Sequence, residues 1–250
     1  MNRFFLEITY DGAAFHGSQL QGEIPTVQLF INKALRILFN LEISSFGASR
    51  TDEGVHALHS YYHFETECDL IPQFLYKLNC ILPESIAVKA IYKCVGEPIN
   101  ARFDAKSRTY RYRIYSTKNP FKLKRAHYFP YSFDRDLLNE TAAVLKNYNH
   151  FESFSKRKTQ SKTFLCNIME SYWEEDGDEL HYVVKANRFL RGMVRGLVST
   201  QLQTARAGTL QDFIKIIDAN DCTKADFSVP GHGLYLEDIE YPTEKLVRVF

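Results

Sequence analysis

The chain has 250 residues, 45% of them hydrophobic and 24% charged, with 31 basic against 30 acidic side chains and a formal net charge of +1. That composition excludes disorder, collagen and coiled coil, and it supplies apolar material for one large domain or two small ones. No apolar run approaches the roughly 18 residues of a membrane span, and the opening Met1-Asn2-Arg3-Phe4-Phe5-Leu6-Glu7 has no signal-peptide core, so a cytoplasmic protein without membrane contact is expected. Cys68, Cys80, Cys94, Cys166 and Cys222 form no Cys-x-x-Cys pair, which argues against a disulfide framework or a zinc knuckle. Neither Gly-x-Gly-x-x-Gly nor a Walker motif occurs, so no cofactor of the nucleotide kind is expected.

Phe4, Leu6 and Ile8 alternate with Phe5, Glu7 and Thr9, a strand that ends in the turn signal Asp11-Gly12. After Pro25, Thr26 is placed to cap a helix whose Val27, Phe30, Ile31, Ala34, Leu35 and Leu38 share one face. A strand follows over 57–64, a helix over 72–82, and strands over 86–94 and 108–115. A helix over 134–146, strands over 164–173 and 180–186, helices over 187–206 and 210–217, and a strand over 234–241 complete the pattern. Several strands follow one another with short breaks, so the expected fold class is α+β with antiparallel sheets rather than a doubly wound parallel sheet. Each half reads strand, helix, strands, helix. Two similar domains facing each other across a central cleft are therefore expected, an N-terminal one over 1–104 and a C-terminal one over 105–250.

The near-zero net charge hides a segregation. Arg102–Arg125, Ser153–Met169 and Lys185–Arg206 together hold eighteen of the basic groups and one acid in 63 residues, leaving thirteen basic and twenty-nine acidic groups for the rest. If folding gathers these stretches, they form a polyanion-binding surface; the alternative is three unrelated solvated faces. Within 108–115, alternation puts Tyr110, Tyr112 and Ile114 on one face, suited to a base or to core, and Arg111 and Arg113 on the other, suited to phosphate. Aromatic residues in strands are more often core than ligand contacts. On a helix over 187–206, Arg188, Arg191 and Arg195 would form one stripe.

The least bland segment is Gly47 to Ala57, GASRTDEGVHA, in which an arginine, two acids and two glycines lie between apolar stretches. A carboxylate beside a guanidinium is kept in its charged form, and Gly54 lets backbone approach a ligand closely, so Asp52 can serve as nucleophile or base. The same residues also suit a capped turn with a surface ion pair. His56, His59 and His63 have metal-like helical spacing but fall in the strand over 57–64, where only His59 and His63 share a face, so no metal site is expected.

Ser49-Arg50-Thr51-Asp52-Glu53-Gly54-Val55-His56-Ala57 resembles the signature of the tRNA pseudouridine synthase A family. Tyr10-Asp11-Gly12 with Phe15-His16-Gly17 and Gln19, Thr26-Val27-Gln28, Asn79 with Leu82-Pro83, Ala101-Arg102-Phe103, Arg108 to Tyr112, Phe189-Leu190, Met193-Val194-Arg195 and Gly233 to Leu236 follow the family's order over nearly the whole chain. The resemblance implies that Asp52 is the catalytic aspartate and Arg50 its companion two positions before. It implies that Tyr110 packs against the target base and that Arg195 pairs with the catalytic carboxylate. It implies a two-domain α+β homodimeric isomerase that converts uridines 38 to 40 of the tRNA anticodon arm to pseudouridine with neither metal nor nucleotide. Three positions depart from the family pattern. Ser18 stands where a tryptophan is usual, which is expected to loosen packing or RNA stacking; Glu53 adds a charge beside Asp52; and 204–208 lacks paired glycines. Two rivals share these features: an RNA-binding protein without activity, which has no need of Asp52 or Arg195, and a nucleosidase-like hydrolase, which needs a second acid such as Glu53 to activate water.

Overall fold

The structure is a computed structural model and describes residues 1–157 and 162–250; Lys158, in the second basic stretch, lies outside the described residues. In chain order the elements are β1 (Asn2–Tyr10), α1 (Val27–Phe39), β2 (Phe46–Gly47), β3 (His56–Thr66), α2 (Phe74–Ile81), β4 (Ile86–Cys94), β5 (Ser107–Tyr115), β6 (His127–Tyr128), α3 (Arg135–Val144), β7 (Ile168–Asp176), β8 (Glu179–Ala186), α4 (Met193–Ala207), α5 (Leu210–Asp218), β9 (Leu234–Glu240) and β10 (Leu246–Arg248). The fold is mixed α and β with mostly antiparallel strand pairing, the exceptions among the described pairs being β3 with β9 and β5 with β6. The chain divides into two compact units, Met1–Lys106 with Tyr235–Phe250, and Ser107–Leu234. Residues 235–250, assigned from sequence to the second domain, thus belong to the first. The physical reason is strand pairing: His56 and Ala57 of β3 pair with Tyr235 and Leu236 of β9, and β10 pairs with β4.

In the first unit the strands run β10-β4-β1-β3-β9, with β2 also on β3. The Thr26 hydroxyl caps α1 by accepting the Leu29 N–H at 3.3 Å, and Val27, Leu29, Ile31, Ala34 and Leu35 are buried. Phe39 of α1 and Phe74 of α2 meet Phe64 of β3 at ring distances of 6.0 and 6.5 Å, which fixes the helices on the face that carries Phe4 and Phe64. The opposite face is closed by Phe5, His63, Phe46 and Tyr241.

In the second unit β5, β8 and β7 form consecutive antiparallel pairs. Tyr182 and Trp173 pack at 5.1 Å, and the indole N–H donates to Gln201 Oε1 of α4 at 2.8 Å. Thr209 caps α5 through a reciprocal pair of bonds with Asp212. Two expected elements start four or more residues later than read from sequence. The strand expected from 164 begins at Ile168, because Phe164 and Cys166 bond instead to Phe151 and Asn149. The helix expected from 187 begins at Met193 after Gly192, whose φ of +73° lies in the left-handed region that favours glycine. Residues 187–191 are drawn out by other bonds, Asn187 N–H to Asn167 C=O and Lys156 N–H to Arg191 C=O. Arg188 and Arg191 therefore share no helical stripe with Arg195.

Candidate active site

After β2 the chain enters the loop 48–55 and turns back into β3. Its alternation decides what faces outward: Arg50 is exposed and Asp52 half-exposed, while Thr51 between them is buried. Thr51 is held at three atoms. Its N–H donates to Ser18 Oγ at 2.8 Å, its C=O accepts the Ser18 N–H at 3.1 Å, and its hydroxyl shares a 2.8 Å hydrogen bond with the Tyr10 hydroxyl. Beyond Asp52 the chain makes a tight turn in which the Val55 N–H reaches the Asp52 C=O at 3.3 Å and Gly54 has a φ of +79°. Arg50 and Asp52 are thus presented from one loop whose inward residue is anchored.

The segment between β1 and α1 forms the seat for this loop. A side chain at Gly12 would put its Cβ 2.0 Å from the Val55 carbonyl oxygen, and one at Gly17, where φ is +96°, would come within 2.9 Å of the Thr51 oxygen. Glycine is required at both because backbone lies directly on backbone. The Gly12 N–H donates to His56 Nδ1 at 3.1 Å, Asp11 Oδ1 lies 3.0 Å from the same nitrogen, and the His56 ring stacks on Tyr235 at 4.5 Å. Tyr10, Gly12, Gly17 and Ser18 were not read as site residues from sequence. Thirty or more positions separate them from the residues of the 49–56 segment that they touch, and no local signal reports that distance.

Ser18, expected to loosen the packing, is buried and knits it: its hydroxyl also donates to the Ser49 C=O at 3.2 Å, and the Tyr62 hydroxyl donates to the Ser18 C=O at 3.2 Å. The Glu53 carboxylate is 72% exposed and lies 3.4 Å from His16 Nδ1. The three histidines of β3 have separate partners. His59 is exposed and pairs with Glu7 at 2.9 Å, whereas buried His63 stacks on Phe5 and accepts the Ala101 N–H. Burial, followed by the nearby positive charge of Arg3, lowers the His63 pKa to about 4.

Tyr110 and Arg195 belong to the second unit. Tyr110, Tyr112 and Ile114 line the buried face of β5; Tyr110 is 8% exposed and meets Phe189 edge to face at 5.0 Å. Arg195 lies in the first turn of α4, and its Nε donates to the Val229 C=O at 2.8 Å and its Nη2 to the Phe227 C=O at 3.5 Å. Tyr112 ties the same loop by donating to the Pro230 C=O at 2.9 Å. Arg195 is therefore a directed side chain rather than part of a solvated face. The other face of β5 departs from the expected phosphate surface. Arg111 bonds to Glu174, Arg113 Nε to Glu179 at 2.8 Å, and Lys122 to Asp178 and, at 3.0 Å, to Glu179. Burial acts against the charge of Glu179, but hydrogen bonds from His181, Lys122 and Arg113 outweigh it and hold the carboxyl at about 2. These cations neutralise acids of the β7–β8 hairpin.

Comparison with known proteins adds an independent line. Residues 148–242 match a family model described as tRNA pseudouridine synthase. The tRNA pseudouridine synthase A of Parabacteroides distasonis is 43% identical over 249 residues, covering 98% of this chain and 98% of its own. That of Bacteroides fragilis is 38% identical over 248 residues, with 98% of each chain covered, and that of Aliivibrio salmonicida is 34% identical, with 97% and 94% covered. Arg195 falls inside the matched model segment; Arg50, Asp52 and Tyr110 lie in the part covered by the full-length relatives alone.

Proposed function

The chain belongs to the tRNA pseudouridine synthase A family, and on that premise we propose that it isomerises uridine to pseudouridine at positions 38 to 40 of the tRNA anticodon stem and loop. The observation that carries the site assignment is the loop around Thr51, which turns Arg50 and Asp52 outward together while three atoms of the residue between them are held from behind. The reaction breaks the N1–C1′ bond of uridine, turns the freed base and joins C5 to C1′; C5 gives up a proton and N1 gains one, so no atom is added.

The target nucleotide is flipped out and its base stacks against Tyr110, while Arg50 fills the vacated space or holds a phosphate. Asp52 acts at the sugar, by attack on C1′ or by removal of the 2′ proton. The Arg195 guanidinium is assigned to the Asp52 carboxylate; its anchorage to Val229 and Phe227 supports a directed role. The site excludes water, since a hydroxyl reaching C1′ would hydrolyse the glycosidic bond. Turning of the Glu53 carboxylate toward His16 and solvent supports isomerisation over hydrolysis, because a hydrolase needs that second acid at the sugar. The protein works in the cytoplasm as a homodimer whose two α+β domains form a central RNA-binding cleft, with tRNA as its partner and no cofactor. Among the described residues no helix is long and apolar enough to cross a membrane.

Mapping of pseudouridine by chemical derivatisation in tRNA from cells with and without this chain tests reaction and target together. Loss of the signal at positions 38 to 40 in the deleted strain is expected. An unchanged map, or a product heavier than the substrate by one water, would overturn the assignment.

A further inference from the structure

Arg50 and Asp52 leave the protein from a loop, where no ladder of strand hydrogen bonds fixes the backbone, yet a group that meets a reacting sugar must be held to within a fraction of an ångström. The Ser18 hydroxyl is placed to do this. It accepts the Thr51 N–H at 2.8 Å and donates to the Ser49 C=O at 3.2 Å, so one oxygen bridges the two residues that flank Arg50. The Ser18 N–H adds a third bond, to the Thr51 C=O at 3.1 Å, on the side of Asp52.

Ser18 is itself immobilised. It is 1% exposed, and its C=O accepts both the Tyr62 hydroxyl of β3 at 3.2 Å and the Gln28 N–H of α1 at 3.1 Å. A sheet strand and a helix thereby hold the main chain of one short polar residue, and its side chain holds the loop. Its burial would be costly without partners, and both partners are backbone groups of the 49–51 segment.

We propose that Ser18 is a positioning residue, whose hydroxyl sets the backbone from which Arg50 and Asp52 reach the substrate; this rests on the reading of Asp52 as the catalytic carboxylate. Ser18→Ala removes the bridge and leaves the main-chain bond to Thr51 and the surrounding packing in place. Single-turnover conversion of tRNA should slow by about tenfold to a hundredfold, the order expected for misplacement of a reacting group, while tRNA affinity stays within about twofold. The Thr51 amide should lose protection from hydrogen exchange, which a general loss of packing elsewhere would not single out. Ser18→Cys keeps a side chain of similar size with a weaker donor and acceptor and should fall between the two; if Ser18→Ala does not fold, Ser18→Cys carries the same readouts. A Ser18→Ala rate within about twofold of wild type, a rate and affinity that fall together, or an unchanged Thr51 amide would overturn the proposal. Asp52→Asn measured alongside separates the two levels: if it is inactive while Ser18→Ala is fully active, the positioning role alone fails, and if it is active, the reading beneath it fails.

Discussion

Lys122 offers a test in which two roles for the same charge give opposite results. From sequence it belongs to the basic stretch expected to supply much of the phosphate binding. In the fold its ammonium bonds to Asp178 and lies 3.0 Å from Glu179, a carboxylate 9% exposed that also receives Arg113 Nε at 2.8 Å and His181 Nε2 at 2.8 Å. Lys122→Gln takes away one of three donors to a carboxylate held at about 2. A charged hydrogen bond of this kind, partly open to solvent, contributes on the order of 1–2 kcal/mol, which for a chain of this length lowers the thermal midpoint by about 3–6 °C. The sign with pH follows from the depressed carboxyl. Its stabilising contribution is complete above the unfolded glutamate value of about 4.3 and is lost as pH falls through about 2, so the gap between variant and wild type is widest near neutrality and closes on acidification. Thermal melts from pH 7 down to 3, paired with tRNA binding over a salt series, read both roles. If Lys122 met a phosphate instead, the midpoint would not move and the slope of log affinity against log salt would fall by about 0.7–0.9. That pattern would refute the ion-pair account of the β7–β8 hairpin.

Gly12→Ala forces a Cβ to within 2.0 Å of the Val55 oxygen, so the turn after Asp52 must shift; destabilisation of about 1–3 kcal/mol in denaturant melts together with slowed turnover is expected, and a neutral variant would contradict the close approach. Tyr110→Phe keeps the ring and loses the hydroxyl, whereas Tyr110→Ala loses both, so equal single-turnover rates for the two would show that no base stacks there. Buried His63 and half-buried His127 both have pKa values lowered to about 4, His63 by desolvation and then Arg3, His127 by desolvation and then His232. Their unfolded forms take up protons first, so stability should be full above about 6.5 and fall as pH drops from there toward 4. Replacing both with Gln should flatten that part of an equilibrium unfolding series, and an unaltered slope would show that other groups drive the acid loss.

Local chemistry made much of this protein legible from sequence. The alternation of Phe4, Leu6 and Ile8, the Thr26 cap and the facing of Tyr110, Tyr112 and Ile114 in β5 each depend on neighbours a few residues away, and the structure has them as read; on α1, Val27, Ile31, Ala34 and Leu35 are buried as read, with Leu29 added and Phe30 and Leu38 only half-buried. The Arg50-Thr51-Asp52 segment stood out by its residue types, but those types suit a capped surface turn as well, and its catalytic reading came from the family resemblance. Tertiary structure decided what depends on partners distant in the chain. Gly192 and the bonds of 187–191 to Lys156 and Asn167 stopped α4 short of Arg188 and Arg191, although the helical period runs through them. The basic face of β5 looked ready for phosphate until β7 and β8 supplied Glu174 and Glu179 against it, since charge adds up by distance in space and not by position in the chain. Ser18 looked like a defect in the sequence pattern for the same reason. A small polar side chain has no character of its own until the fold sets Thr51 and Ser49 within reach of its hydroxyl.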